Sequence, residues 1–185
     1  MRVLLATGNP HKVEEVQDIL GPEVEVLGHD TGVEETGTTF EENALLKARA
    51  LASHLGELAV ADDSGIEIDH LEGEPGVQSA RWTEEGDWIP RVLRELDGVE
   101  AEARGCRYVC AAAAVWPDGR EAVVRGTVDG RITDAPRGTG GFGYDPIMEP
   151  LEGDGRTFAE MAPDEKHAIS HRARAFRDLL GLVAG

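Results

Sequence analysis

Two adjacent aspartates, Asp62 and Asp63, follow the apolar residues Leu58 to Ala61 and precede Ser64-Gly65. Carboxylates at the carboxyl ends of sheet strands open onto the crevice in which α/β proteins bind ligands. Asp and Ser also favour turns by bonding their own backbone, so a structural turn is the alternative. Because successive side chains of a strand point to opposite faces, one aspartate would be structural while the other faces the crevice. We therefore take this pair as the candidate centre of acid–base chemistry.

A further carboxylate, Glu42, lies at the start of a predicted helix. Thr39 and Glu42 have the spacing of a capping box, which stabilises a helix start by on the order of 1 kcal/mol. Alternatively, Glu42 and the aspartate pair hold a hard divalent cation, which prefers oxygen ligands and bridges to substrate phosphates. The sequence leaves both roles open.

Two lysines, Lys12 and Lys166, are predicted near helix starts, where the positive end of the helix dipole disfavours a cation. The segment TGNPHK, residues 7–12, leads from a predicted strand into a helix whose early proline suits the first position. An anion bound where the N–H groups of Gly8 and Asn9 converge would explain Lys12. A solvated lysine is the alternative, but two such lysines together favour an anion.

The Gly-rich segment 138–146 permits close backbone approach to a ligand, and Phe142 or Tyr144 could stack on a base. A hinge or a tight strand connection explains it equally well. His167 and His171 have i, i+4 spacing, but an alanine stands where the zinc-protease pattern needs glutamate, so no zinc site is predicted. The sequence contains no P-loop motif.

Composition restricts the classes of partner. The chain has 185 residues, 41% of them hydrophobic, and a formal net charge of −18. That charge argues against a nucleic-acid backbone or an anionic membrane as partner. Without a signal-peptide pattern or an apolar run near the roughly 18 residues that span a bilayer, we expect a cytoplasmic protein. Its two cysteines, Cys106 and Cys110, are predicted to be buried thiols on one strand.

Periodicity places these residues on an α/β scaffold with a mixed sheet. The sequence "PDGR" joins two long extended runs and predicts an antiparallel hairpin. The predicted strands are residues 1–7, 23–28, 58–65, 106–116 and 121–128. The third ends in a turn, with residues 66–69 as a candidate extended continuation. The predicted helices are residues 10–20, 38–56, 88–96 and 163–180.

Five segments across almost the whole chain resemble the inosine/xanthosine triphosphate pyrophosphatase family, in the same order: TGNPHK, TFEENALLKA, ADDSGIEIDHLEGEPGVQSARW, PRGTGGFGYDPIM and FAEMAPDEKHAISHRARA. The resemblance implies a mixed twisted sheet with flanking helices, in an elongated two-lobed single domain, 1–185, with a central cleft. It implies a homodimer that uses Mg²⁺ to convert non-canonical purine nucleoside triphosphates (dITP, ITP and XTP) to the monophosphate and pyrophosphate, removing deaminated purines from the nucleotide pool.

The family pattern also implies roles for individual residues. Those that would bind phosphate are Thr7, Gly8, Asn9, Pro10, His11 and Lys12. Glu42 and Asp63 would hold the metal, with Asp63 as the general base and Asp62 as its structural or metal-linked neighbour. Those that would contact the nucleotide are Ser64, Phe142, Gly143, Tyr144, Asp145 and Lys166, with His171 and Arg172 recognising the base. A triphosphate between Lys12 and Lys166 would neutralise both.

The implied chemistry needs a base, a cation to screen charge on the phosphate oxygens, and fixed positive groups for the pyrophosphate leaving group. Selectivity for a 6-oxo purine would come from buried donors facing the keto oxygen, a role that suits His171 and Arg172. Two rivals remain. One is a phosphatase that forms a phospho-aspartate at the DDSG segment and releases inorganic phosphate. The other is a nucleotide-binding module without turnover.

One segment departs from the family pattern. Trp88, Ile89 and Pro90 stand where many relatives have an asparagine-containing helix start, so no ligand contact is assigned there. The two apolar side chains would pack in the core, with a subunit interface as the alternative.

Overall fold

The computed structural model describes residues 2–83 and 86–183, so the first residue of the predicted strand 1–7 lies outside the described residues, as do the ends of the predicted domain 1–185. The strands are β1 (Arg2–Ala6), β2 (Glu25–His29), β3 (Ala59–Ile68), β4 (Gly105–Val115), β5 (Glu121–Ile132) and β6 (Met148–Pro150). The helices are α1 (Pro10–Leu20), α2 (Phe40–Leu55), α3 (Trp88–Glu95), α4 (Pro163–Ile169) and α5 (His171–Val183).

The strands of the described residues form one mixed sheet in the order β2-β1-β3-β4-β5-β6. Strand β1 pairs in parallel with β2 and β3, whereas β5 and β6 are antiparallel. At the predicted turn, the Trp116 N–H donates to the Arg120 carbonyl at 3.0 Å, and at the other end the Ile132 N–H donates to Arg104 at 2.9 Å. These bonds join β4 and β5 as a hairpin, so the α/β class with a mixed sheet is confirmed.

The chain forms two compact units. The first contains Met1–Ser64, Cys110–Gly126 and the residues from His171 onward, and the second contains Gly65–Val109 and Thr127–Ser170. Each unit has its own core. That of the first includes Leu5, Val16 and Phe176, and that of the second includes Ile66, Ile68, Ile147 and Phe158. No helix among residues 2–83 and 86–183 has the length and apolar character needed to cross a membrane.

Local sequence explains how α1 and α2 begin and end. The Asn9 side chain caps α1 by accepting from the N–H of His11, and a proline occupies the first turn. The Thr39 side chain caps α2 by accepting from Glu42, and α2 ends at Gly56 in the left-handed conformation. Short polar caps satisfy the free N–H groups of the first turn, and glycine adopts a positive φ without steric cost.

Two sequence predictions about element ends are wrong. The predicted turn at Ser64-Gly65 does not form, because Ile66 and Ile68 continue the buried face and β3 runs to Ile68. The predicted helix 163–180 is two helices, because Ser170 has an extended backbone with ψ of 150°. Serine with that geometry is typical of a helix N-cap, so α5 starts afresh at His171.

The divergent segment at the start of α3 contributes to the core of the second unit. Trp88 and Ile89 are partly buried against that core. The Trp88 ring lies 5.9 Å from that of Tyr144, centroid to centroid. The predicted core role of this apolar pair is therefore confirmed.

Candidate active site

The segment Thr7 to Lys12 turns from β1 into α1 and satisfies part of its own backbone. The Asn9 N–H donates to Thr7 Oγ1 at 3.1 Å, and the His11 N–H donates to Asn9 Oδ1 at 3.0 Å. The predicted pair of converging free N–H groups is therefore wrong for Asn9, because a side-chain oxygen already accepts its hydrogen. Threonine and asparagine at such a turn compete for the N–H groups that an anion would use.

An open depression of about 420 Å³ lies beside this segment. Its walls are formed by Thr7, Gly8, Asn9, Pro10, Val13, Glu14, Gly28 and Asp30. Gly8 lies close to Asp30 in this depression, because a Cβ on Gly8 would lie 3.0 Å from the Asp30 carboxylate. Since Glu14 and Asp30 also bring negative charge, the depression needs added cations before it can hold phosphate.

Asp62, on β3, holds two cations of the first unit on one oxygen. Its Oδ2 lies 3.1 Å from Lys12 Nζ and 3.3 Å from an Arg172 Nη, and Asp62 itself is 1% exposed. Burial opposes ionisation, but Lys12 and Arg172 outweigh it and hold the pKa of Asp62 well below its usual range. Asp62 is therefore a permanent anion that fixes two cations.

Arg172 is held from three sides at the start of α5. Its guanidinium donates to Asp62 Oδ2, to Ser64 Oγ at 2.8 Å, and to Glu15 on α1. A buried guanidinium that donates to two carboxylates and one hydroxyl has a fixed orientation. The structure thus brings Arg172 to the same region as Lys12 and Ser64, each of which lies more than a hundred residues away from it in the sequence.

The adjacent aspartate, Asp63, has a separate set of partners. Its Oδ2 accepts from Asn43 Nδ2 at 3.1 Å, and its Oδ1 lies 3.5 Å from Lys47 Nζ. Burial raises the pKa of Asp63, and Lys47 opposes that rise. The two aspartates therefore have different partners, as expected for successive side chains on opposite faces of β3.

Sequence reasoning missed Lys47, which is 9% exposed on the buried face of α2. Its ammonium lies 2.5 Å from Glu35 Oε1, and the carboxylates around it outweigh burial and keep its pKa above its usual value. The signal was a lysine in a stripe of apolar residues, one turn before Leu51. A charge on a face predicted to be buried is functional or paired far more often than incidental.

Glu42 is exposed at the start of α2, where its Oε2 accepts from the N–H of Thr38 at 2.7 Å. That backbone hydrogen bond lowers the pKa of Glu42. The next residue of α2, Asn43, donates to Asp63. The described residues contain no cluster of three or more metal-binding side chains. Mg²⁺ commonly takes one or two protein carboxylates, waters and substrate phosphates, so this donor set fits such an ion.

The other predicted nucleotide contacts lie in the second unit. Asp145, 3% exposed, accepts from Lys166 Nζ at 2.7 Å and from the N–H of Phe142 at 2.9 Å. Tyr144 is 5% exposed and donates to the carbonyl of Ser79 at 2.8 Å. Of the two aromatic rings, Phe142 is therefore the more available for stacking.

The dipole argument does not apply to Lys166. Helix α4 has seven residues, so Lys166 lies in its last turn as much as near its start. Its ammonium is neutralised by Asp145 within the second unit, as Lys12 is by Asp62 within the first. Neither lysine needs a bound triphosphate to explain its place in the fold.

Comparison with known proteins identifies the family. The Ham1 family model matches residues 3–182. This chain belongs to the Ham1 family. The match spans nearly the whole sequence and confirms the resemblance seen in its motifs. The Ham1-family structures of Staphylococcus aureus and Coxiella burnetii align with TM-scores of 0.85 and 0.84 at 36% and 34% identity. Both alignments cover 100% of this chain, and they cover 99% and 98% of the respective neighbours.

Curated relatives of this Ham1-family chain carry one functional name. The dITP/XTP pyrophosphatase of Symbiobacterium thermophilum is 52% identical over 94% of this chain and 90% of its own length. The dITP/XTP pyrophosphatases of Streptomyces coelicolor and Bacillus subtilis are 48% and 45% identical. These alignments cover 98% and 97% of this chain, and 96% of each relative.

Proposed function

We propose that the chain hydrolyses dITP, ITP and XTP to the nucleoside monophosphate and pyrophosphate. The names of its close relatives support this substrate class. The observation that carries the proposal is the difference between the two aspartates of β3. Asp62 fixes two cations and has a lowered pKa, whereas burial raises the pKa of Asp63 beside Lys47. When the surroundings of two neighbouring carboxylates shift their pKa values in opposite directions, the two groups can take different roles. Here the carboxylate that is fixed by cations is structural and the other one is catalytic.

In this proposal Asp63 is the general base. It accepts a proton from water as the water oxygen attacks the α-phosphorus. The bond between that phosphorus and the oxygen that bridges to the β-phosphate breaks, and pyrophosphate leaves. Asn43 orients the carboxylate through its 3.1 Å hydrogen bond, and the charge of Lys47 opposes the rise that burial causes in the pKa of Asp63. Lys12 is the cation that would stabilise the pyrophosphate leaving group. The pyrophosphate would compete with Asp62 for the ammonium of Lys12.

Mg²⁺ is proposed as the cofactor because the carboxylates of Glu42 and Asp63 suit an ion that is shared with substrate phosphates. When bound, the ion screens negative charge on the phosphate oxygens. Glu42 is exposed and ionised, so its carboxylate can leave the hydrogen bond from Thr38 and bind the metal instead. Activity should be lost with EDTA and restored by Mg²⁺.

Base selectivity is assigned to His171 and Arg172, and stacking to Phe142. Arg172 enters this role with its guanidinium already oriented by Glu15, Asp62 and Ser64. A donor fixed in this way favours a keto oxygen and disfavours an amino group at the same position. ITP and XTP should therefore be preferred over ATP.

Product analysis tests the proposal. The purified protein is incubated with Mg²⁺ and ITP, XTP, GTP or ATP, and pyrophosphate is resolved from phosphate. We expect pyrophosphate from ITP and XTP, and its loss in Asp63→Asn. The variant Asp118→Asn, in the exposed hairpin turn, is the matched control. Inorganic phosphate as the first product would favour the phospho-aspartate rival, and tight ITP binding without turnover would favour the binding module.

We also propose, on the family resemblance, that the chain works as a cytoplasmic homodimer on free nucleotides, without polymeric nucleic acid or membrane as partner. Light scattering coupled to size exclusion tests the dimer, and fractionation of the source cells tests the location. A monomer at micromolar concentration that retains full activity would contradict the dimer.

A further inference from the structure

We infer that Tyr108, on β4 of the second unit, is a positioning residue that sets Lys166 and the Gly-rich loop through Asp145. This inference rests on the proposed function. Its basis is the hydrogen bond from the Tyr108 hydroxyl to Asp145 Oδ1, at 3.1 Å between two buried side chains. No motif in the sequence indicates this role for Tyr108.

Asp145 joins three parts of the second unit. Its Oδ1 accepts from Tyr108, and its Oδ2 accepts from both Lys166 Nζ and the N–H of Phe142. The loop also passes close to the same carboxylate, because a Cβ at Gly141 would lie 2.0 Å from Oδ2. Because both of its oxygens accept hydrogen bonds from protein donors, Asp145 connects the Gly-rich loop with Lys166.

The hydroxyl of Tyr108 determines the orientation of the Asp145 carboxylate. A carboxylate can turn about its terminal torsion, which has broad minima. With Tyr108 holding Oδ1, the other oxygen is presented to Lys166 and to the loop N–H together. Without that hydroxyl, Oδ1 is a buried acceptor that has lost its partner, and the carboxylate is free to turn and recover a bond from Lys166 or Phe142.

Tyr108 also forms part of the aromatic wall beside the same lysine. Its ring stacks on Phe158 at 5.8 Å between centroids, and the Lys166 ammonium lies 6.0 Å from the Phe158 ring and 5.3 Å from that of Phe142. The isosteric change Tyr108→Phe keeps the ring that stacks on Phe158 and removes the hydroxyl that donates to Asp145. It therefore tests positioning rather than packing.

The experiment compares Tyr108→Phe with Ser79→Ala in the full chain. Ser79 is 4% exposed in the same unit, and its hydroxyl bonds to the backbone of Ile66 and Gly76 without contacting Asp145. Both variants lose a buried hydroxyl. We expect a roughly threefold to tenfold rise in KM for ITP with kcat changed less than twofold in Tyr108→Phe, the size expected for one hydrogen bond. Ser79→Ala should keep the wild-type KM.

A double-mutant cycle with Lys166→Met separates positioning from general destabilisation. If Tyr108 acts through Lys166, the KM effect of Tyr108→Phe disappears in the Lys166→Met background. An undiminished effect would overturn the inference, as would a wild-type KM in Tyr108→Phe.

Crystal structures of the wild type and Tyr108→Phe give a readout that needs no activity. We expect the Asp145 carboxylate to turn and its distance from Lys166 Nζ to change. Unchanged side chains overturn the positioning role. Failure of the wild type to release pyrophosphate from ITP instead contradicts the proposed function, so the two failures are distinguishable.

Discussion

Lys12, in the first turn of α1, lies 3.1 Å from Asp62 on β3, so the protein itself neutralises a cation that the helix dipole disfavours. Asp62 shares the same oxygen with Arg172, which links the start of α1 to the start of α5. An incoming phosphate therefore competes with a carboxylate that is already in place. The pairing of Lys12 with Asp62 is a feature of the first unit that no motif alone predicts.

Replacing Asp62 by asparagine should destabilise the fold. The change leaves the buried Arg172 and the partly buried Lys12 beside a neutral amide, and removing one member of a buried ion pair costs about 3 to 5 kcal/mol of unfolding free energy. Urea denaturation measures the loss. Asp118→Asn, on the surface, should keep the wild-type midpoint. Equal midpoints for both variants would show that Asp62 has no such structural role.

Lys47→Met should reduce kcat/KM for ITP by at least about 100-fold, because Asp63 and Glu35 lose the cation between them. Lys47→Arg, which keeps the charge, should retain part of the activity. Arg49→Met removes an exposed ion pair to Glu121 from the same helix and serves as the control. Steady-state kinetics of all three variants measure these effects. Full activity in Lys47→Met would contradict a role in activity for Lys47.

Gly126→Ala should displace the first turn of α5. A Cβ at Gly126 would lie 2.2 Å from the carbonyl oxygen of His171 and 2.7 Å from the backbone nitrogen of Ala175. We expect a loss of about 1 to 3 kcal/mol of stability and weaker discrimination of ITP from ATP, since Arg172 moves with that turn. Thermal unfolding and competing-substrate assays measure the two effects.

The control for that change is Gly181→Ala, later in α5, where a Cβ meets nothing within 4 Å. Alanine has the higher helix propensity, so this variant should be neutral or slightly more stable. If both glycine variants behave alike, close packing at Gly126 is not the cause.

Both cysteines should resist alkylation in the folded protein. Burial raises the pKa of Cys106 and of Cys110 far above that of a free thiol, so little thiolate is present at pH 8. Iodoacetamide followed by mass spectrometry should find unmodified native protein and two labelled thiols in denaturant. Rapid labelling of the native chain would contradict the buried environment.

Prediction from sequence succeeded where local physics decides the outcome. Apolar periodicity located α2, the PDGR turn located the β4–β5 hairpin, and residue types located the cap at Thr39, whereas the cap at Asn9 was not predicted. It failed at Ser64 and Ser170. A serine has the same local preference whether it lies inside a strand, in a turn or between two helices, so packing of the neighbouring residues selected the outcome.

The sequence by itself determined the α/β class, the family and the residue types available for phosphate chemistry, because these depend on periodicity and on motifs that are contiguous in the chain. Only the tertiary structure decided which charges meet. The pairing of Lys12 and Arg172 on Asp62, of Lys47 with Asp63, and of Tyr108 with Asp145 joins residues from distant segments. The physical reason is that a buried charge takes its partner from whichever segment packs against it, and sequence spacing does not encode that contact.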